Sequence, residues 1–297
     1  MRSILRKRNA TVEARDGAEL VCTIAGEGPS VLLVSGSNRA AAWHPVTVPA
    51  LVEAGYQVVT YDHRGMPPSE VTDAPYTIGQ LTDDMFAVVD ALGLEPCHVV
   101  GTSMGGMIAQ TAVVARPTAF LSATFIAGIG DVSQFGQAFM DTLVEVHSME
   151  PVPPAMRRLL GLDLVRPVGD WEATERDYLS IADSMMGGPR PYDGRVGHAA
   201  ACRDWAHRSH TAELERIRLP ALVVAGQQDS LFPPDALRAA AASMPNAEFA
   251  EIPGGSHVAF VDMPAIADIL IDFLHRTDNH LISAGVSQEA DIAVAGR

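Results

Sequence analysis

A doubly wound, mostly parallel α/β sheet with an inserted helical cap is the architecture this sequence predicts, on three observations. Short apolar runs at residues 31–34, 57–61, 97–100, 121–127, 219–225 and 247–252 alternate with segments of helical periodicity. Several of these runs are apolar on both faces, as strands covered by helices on both sides must be. The alternation breaks once, between residues 130 and 218, in a stretch rich in Met, Pro and Arg with no convincing strand. A gap of that length exceeds any structureless loop expected in a compact domain. Residues 131–213 therefore read as a helical cap, inserted between the two parts of a core at 1–130 and 214–276.

The elements follow in order. Residues 11–15 and 19–25 make a hairpin around Asp16-Gly17. Val31-Leu32-Leu33-Val34 is a central strand ending in Ser35-Gly36-Ser37-Asn38. A helical segment over residues 40–54 reaches Gly55, a C-cap residue, and leads into strand 57–61 and then Asp62-His63-Arg64-Gly65. The next helix starts near Thr77, carries Leu81, Met85, Val88, Val89 and Leu92 at helical spacing, and stops at Gly93. Residues 97–100 then deliver Gly101-Thr102-Ser103-Met104-Gly105 and a helix to about Arg116. Beyond the cap, strand 219–225 ends in Gly226-Gln227-Gln228-Asp229. A helix over 235–244, a strand over 247–252, the segment Gly254-Gly255-Ser256-His257 and a helix over 259–276 complete the core. Residues 277–297, small and polar, read as a C-terminal tail without function.

Composition narrows the function classes. The chain has 297 residues, 47% hydrophobic and 19% charged, which supports a large buried core and excludes a disordered chain. A formal net charge of −15 disfavours a nucleic-acid backbone or an anionic membrane surface as partner. No apolar run approaches the length of a membrane span, and no apolar signal core follows the basic start at Arg2, Arg6, Lys7 and Arg8. Cys22, Cys97 and Cys202 form no CxxC pair and read as buried small hydrophobes in a reducing compartment. A cytoplasmic protein acting on a small molecule, as a monomer or homodimer, is the expectation, with no metal and no cofactor.

The chemistry sits at strand ends, where open α/β sheets gather their functional groups. A Gly-x-Ser-x-Gly bracket between strand and helix lifts a serine hydroxyl above the sheet, against the free N–H groups of the new helix. Asp229 and His257 follow two later strands, so the chain order is Ser103, Asp229, His257. A serine hydroxyl is a poor nucleophile at neutral pH. An imidazole can take its proton, and a carboxylate can fix the imidazole's tautomer. Asp131, just after another core strand, is a reserve for the acid, and Asp262 lies too far along the last helix. His63 reads as a structural hydrogen-bonding residue, and His207 and His210 as a solvated helix face.

The segments Gly101-Thr102-Ser103-Met104-Gly105-Gly106-Met107-Ile108-Ala109-Gln110, Tyr61-Asp62-His63-Arg64-Gly65, Gly226-Gln227-Gln228-Asp229 and Gly254-Gly255-Ser256-His257 resemble the α/β-hydrolase superfamily, over residues 11–276. The resemblance implies a serine hydrolase with nucleophile Ser103, acid Asp229 and base His257. It also implies an oxyanion hole from the backbone N–H groups of Ser37 and Met104. Two departures from the family pattern stand out: Ser35-Gly36 in place of the usual His-Gly, and Gly65-Met66-Pro67-Pro68-Ser69 in place of Gly-x-Gly-x-Ser. A looser similarity to polyketide methylesterases implies a bulky, mostly apolar ester. Candidate substrate contacts are Asn38, Trp43, Phe135, Phe139, Met185, Phe232 and Val258.

The expected reaction is ester hydrolysis, of a methyl ester or lactone, through an acyl-enzyme. The same triad also serves cofactor-free peroxidation, carbon–carbon bond hydrolysis or acyl transfer and cyclisation. A ligand-binding protein that has kept the fold without turnover is the third alternative. A serine rather than an aspartate nucleophile argues against epoxide or haloalkane hydrolysis.

Overall fold

The apolar runs pair into one eight-stranded sheet of order β1-β2-β4-β3-β5-β6-β7-β8. Its strands are β1 (Lys7–Glu13), β2 (Glu19–Ala25), β3 (Ser30–Val34), β4 (Gln57–Tyr61), β5 (Cys97–Thr102), β6 (Phe120–Ile126), β7 (Ala221–Gly226) and β8 (Ala247–Ile252). β1 and β2 are antiparallel, and β3 to β8 run parallel. This is a computed structural model, and it describes residues 7–37, 40–149, 156, 194–257 and 264–283.

The two-residue period of a strand divides the core into two layers. On β3, Leu32 and Val34 join one apolar cluster while Val31 and Leu33 join the other. The first layer is covered by α2 (Ile78–Leu92), α3 (Met104–Ala115) and α7 (Pro234–Ala242); the second by α1 (Thr47–Glu53) and α8 (Pro264–Ser283). Each fully buried Leu, Val or Phe contributes about 1.5–3 kcal/mol, so a strand apolar on both faces needs both helical layers. Between β6 and β7 the described residues form α4 (Gln134–His147), α5 (Arg195–Ala206) and α6 (Thr211–Leu214). Among the described residues, no helix is long and apolar enough to cross a membrane.

Local signals explain most boundaries. Thr77 caps α2 by accepting from Gln80 N–H at 3.0 Å. Residues 40–54 are not one helix. A 3-10 turn over Ala40–Trp43 precedes α1, which closes with Gly55 and Tyr56 N–H groups on the Val52 and Leu51 carbonyls. The first strand spans Lys7–Glu13 rather than residues 11–15.

The largest correction concerns the C-terminus. Helix α8 runs to Ser283, so residues 277–283 are not tail. Thr277 is buried, and Asp278 accepts from Tyr56 Oη at 2.8 Å and pairs with His98 Nε2 at 3.1 Å. His98 lies on β5, the strand that delivers Ser103, and its other ring nitrogen meets Ser122 Oγ at 2.8 Å. These polar tethers hold the last turns of α8, where the apolar period that would reveal them is weak.

Candidate active site

Ser103 stands between the end of β5 and the first residue of α3, with φ 51° and ψ −121°. Such a backbone costs a non-glycine residue on the order of 1–3 kcal/mol. It persists because its neighbours fix it: Ser103 N–H donates to the Ile126 carbonyl at 2.8 Å, and Gly106 N–H donates to the Ser103 carbonyl at 2.8 Å.

Ser103 Oγ lies 2.9 Å from His257 Nε2. On the other side of the ring, His257 Nδ1–H donates to Asp229 Oδ2 at 2.8 Å. That tautomer leaves Nε2 free to accept the serine proton. The second carboxylate oxygen, Oδ1, accepts from the N–H groups of Leu231 and Phe232 at 2.9 Å each. Asp229 is buried, and so is His257. The Phe232 ring stacks on the imidazole, with centroids 5.8 Å apart and planes at 16°. Both oxygens of the Asp229 carboxylate are thus occupied, which pins the His257 ring in one orientation.

Asp131 is engaged elsewhere. Its oxygens accept from His210 N–H at 2.5 Å, Ser209 Oγ at 3.1 Å and Thr211 Oγ1 at 3.3 Å, closing the start of α6. His210 is not on a solvated face. It is buried, stacked on Trp205 at 3.7 Å, and bonded to the Trp205 carbonyl and to Glu213, three residues on. His207 is exposed and pairs with Asp141 at 3.0 Å. Among the described residues no three ligating side chains converge as a metal site.

Ser37 Oγ lies 3.5 Å from Met104 Sδ, so the segment after β3 meets the residue that follows Ser103. As the first residue of α3, Met104 has an N–H with no acceptor one turn earlier. The unusual loop after β4 is well tied despite its prolines: Gly65 N–H donates to the Glu70 carbonyl, and Ser69 Oγ to the Asp62 carbonyl at 2.6 Å. Arg64 is buried and forked between Asp84, at 2.5 and 2.6 Å, and Asp16, at 2.6 and 3.0 Å. The guanidinium holds the Asp16 carboxyl down at about 2.

The expected substrate contacts divide. Trp43 is fully buried in the core layer under α1, with no surface for a ligand. Phe139 is packed in the core beneath α4, and Phe135, on the same helix, is 53% exposed. Phe232 packs on His257 as described. Asn38, Met185 and Val258 lie outside the described residues. The three cysteines are free and buried, and burial pushes each thiol up to about 12.

A further buried histidine, His198, lies on α5. Its imidazole is fully buried and donates from Nε2 to the Arg64 carbonyl at 2.8 Å. Nothing in the run Arg195-Val196-Gly197-His198 marks it, because its partner is a main-chain oxygen 134 residues earlier. Burial lowers His198 to about 3 and His63 to about 4. Both are neutral in the fold, whereas in the unfolded chain they titrate near 6.5. Between pH 6.5 and 4 the unfolded state therefore binds protons that the folded state does not. Stability is full above 6.5 and falls as the pH drops, by up to about 1.4 kcal/mol per pH unit for each ring. Urea unfolding from pH 7 to 4.5 should show a steeper loss in the wild type than in His63→Phe/His198→Phe; parallel curves would refute the assignment.

Residues 29–264 match the family model described as alpha/beta hydrolase fold. The chain is 29% identical over 250 residues to the Mycobacterium tuberculosis H37Rv protein named as a non-heme bromoperoxidase, BpoC, covering 80% of this chain and 90% of that one. It is 28% identical over 269 residues to the Azorhizobium caulinodans protein named as a carbamate hydrolase, RutD, covering 88% and 97%. Over 253 residues it is 28% identical to rhodomycin D methylesterase DauP of Streptomyces sp. strain C5, covering 78% and 85%. The crystal structure of BpoC superposes with a TM-score of 0.76 at 25% identity, covering 93% of this chain and 97% of that one. The chain belongs to the alpha/beta hydrolase family.

Proposed function

We propose that this member of the alpha/beta hydrolase family is a serine hydrolase that cleaves a carboxylic ester, a methyl ester or lactone of a bulky apolar metabolite, through an acyl-enzyme. The observation that carries the reading is the continuous hydrogen-bonded line Ser103–His257–Asp229, ending at a serine held with positive φ. Ser103 Oγ attacks the ester carbonyl as His257 Nε2 takes its proton, and Asp229 stabilises the imidazolium. The N–H groups of Met104 and Ser37 receive the oxyanion, with the positive end of α3 behind it. His257 then protonates the departing alkoxide. Water, deprotonated by the same ring, attacks the acyl-enzyme and releases the acid. The bulky substrate is supported by the similarity to a rhodomycin methylesterase.

A second reading is favoured by the similarity to a protein named as a bromoperoxidase. Hydrogen peroxide would replace water as acceptor, so that the acyl-enzyme yields a peracid and free serine. Both readings require a covalent adduct on Ser103. A fluorophosphonate should label the wild-type protein on the peptide containing Ser103 and leave Ser103→Ala unlabelled; labelling at any other residue, or none, overturns the proposal. Peracid formation from a carboxylic acid and peroxide then separates the second reading from the first.

A further inference from the structure

The wall facing Ser103 is Ser35-Gly36-Ser37, a segment of small residues with no bulky side chain of its own to anchor it. The loop after β4 holds the first residue of this segment and, through the preceding loop residue, the start of the 3-10 turn that comes after it. His63 Nε2–H donates to the Ser35 carbonyl at 2.8 Å, and Asp62 Oδ1 accepts from Ala40 N–H at 2.8 Å. That loop is in turn held from the other side by α5. His198 Nε2–H donates to the Arg64 carbonyl at 2.8 Å, and its ring meets the His63 ring edge-on, with centroids 5.9 Å apart. One turn further along α5, the Cys202 thiol meets the Ser37 side chain. A single helix from the insertion thus touches the oxyanion wall directly and through the His63 loop.

The two histidines are a costly way to fill space. Both are fully buried, and the Nδ1 atom of each has no hydrogen-bond partner among the described residues. A buried polar atom left in that condition loses its hydration without a replacement bond, a penalty that phenylalanine in the same volume would not carry. Burial keeps both rings neutral, so each has a single N–H, and each is aimed at a main-chain carbonyl. What the imidazoles supply beyond bulk is those two donors.

We propose that His63 and His198 are positioning residues that link α5 to the oxyanion hole. His198 fixes the 62–65 loop to α5, and His63 passes that position to Ser35, which sets the Ser37 N–H against Met104. The inference rests on the serine-hydrolase reading and goes beyond it, because it makes the seating of α5 a determinant of transition-state stabilisation. Oxyanion contacts tighten only as charge develops, so a misplaced wall lowers kcat and leaves KM nearly unchanged. Loss of a whole oxyanion donor costs on the order of 10²–10³ in kcat, and a displaced one costs less.

The test is hydrolysis of p-nitrophenyl acetate by the full chain. His63→Phe should lower kcat about 10–100-fold with KM within about twofold, on the scale set by loss of one oxyanion donor. His63→Gln, whose amide N–H can reach the same carbonyl, should recover most of it. His198→Phe should lower kcat several-fold, and the double Phe variant should be no worse than His63→Phe, as expected of residues acting in series. If His63→Phe does not fold, His198→Phe decides the matter. Wild-type kcat in the Phe variants overturns the proposal, as does a loss of kcat that tracks melting temperature and is not rescued by Gln. Should Ser103→Ala abolish turnover while the Phe variants keep it, the linkage alone falls. Should wild-type turnover not depend on Ser103, the catalytic reading falls and the linkage with it.

Discussion

Ser103→Ala, His257→Ala and the double variant are expected to lose nearly the same factor in kcat, on the order of 10⁶, because nucleophile and base act as one unit. Asp229→Ala should lose less, about 10⁴, since the base remains but its orientation is no longer fixed. The geometry makes the expectation specific to Asp229. Its Oδ2 accepts from His257 Nδ1, and its Oδ1 is immobilised by two backbone N–H groups. Asp229→Asn keeps the shape but can present an amide N–H to Nδ1, favouring the tautomer that cannot accept the serine proton. It should therefore be nearly as damaging as Asp229→Ala, with little change in melting temperature. Asp131→Ala is the control, because that carboxylate closes the start of α6 through His210 N–H, Ser209 and Thr211. Its removal should cost about 1 kcal/mol of stability, as for other caps, and leave kcat within about twofold. Steady-state kinetics on an activated ester check the set. An Asp131→Ala variant as impaired as Asp229→Ala would sink the assignment of the acid.

What was legible in the sequence follows one rule: features set by local pattern could be read, and those set by distant partners could not. The strands of the parallel sheet were visible because both of their faces are apolar. The convergence of Ser103, Asp229 and His257, joined by hydrogen bonds in the structure, is legible because each follows a strand end marked by a glycine-containing turn. Trp43 departs from the ligand contact that its closeness in sequence to Ser35-Gly36-Ser37 predicts. The 3-10 turn over Ala40–Trp43 instead delivers the indole into the core. The extension of α8 to Ser283 was hidden because its anchors are the polar pairs of Asp278 with Tyr56 and His98 rather than an apolar stripe. His198 was hidden for a related reason: its bond to the Arg64 carbonyl leaves no side-chain signature in either segment. The burial of His210 is not legible in the sequence, since the aromatic stack with Trp205 that buries it requires the chain to turn back on itself.

The second large effect is expected at Gly105, where adding one methyl group should cost more than about 4 kcal/mol, in the range reserved for severe backbone conflict. A Cβ there would stand 2.1 Å from the Val34 carbonyl oxygen and 2.6 Å from that of Ser35. Neither can move aside cheaply. Val34 is locked into β3, between β4 and β5, and the Ser35 carbonyl accepts from His63. The clash must push the start of α3 away from the end of β3. Met104 travels with one side of that gap and Ser37 with the other, so any Gly105→Ala protein that folds should also lose kcat. Gly17→Ala supplies the comparison. Gly17 has φ +91° with open space around the missing Cβ, so its substitution meets only backbone strain, about 1–2 kcal/mol. Stabilities of the two variants from urea unfolding should therefore differ by more than about 2 kcal/mol, with wild-type turnover of p-nitrophenyl acetate kept in Gly17→Ala. Equal destabilisation would mean that backbone conformation, and not the close approach of α3 to β3, is what glycine provides beside the nucleophile.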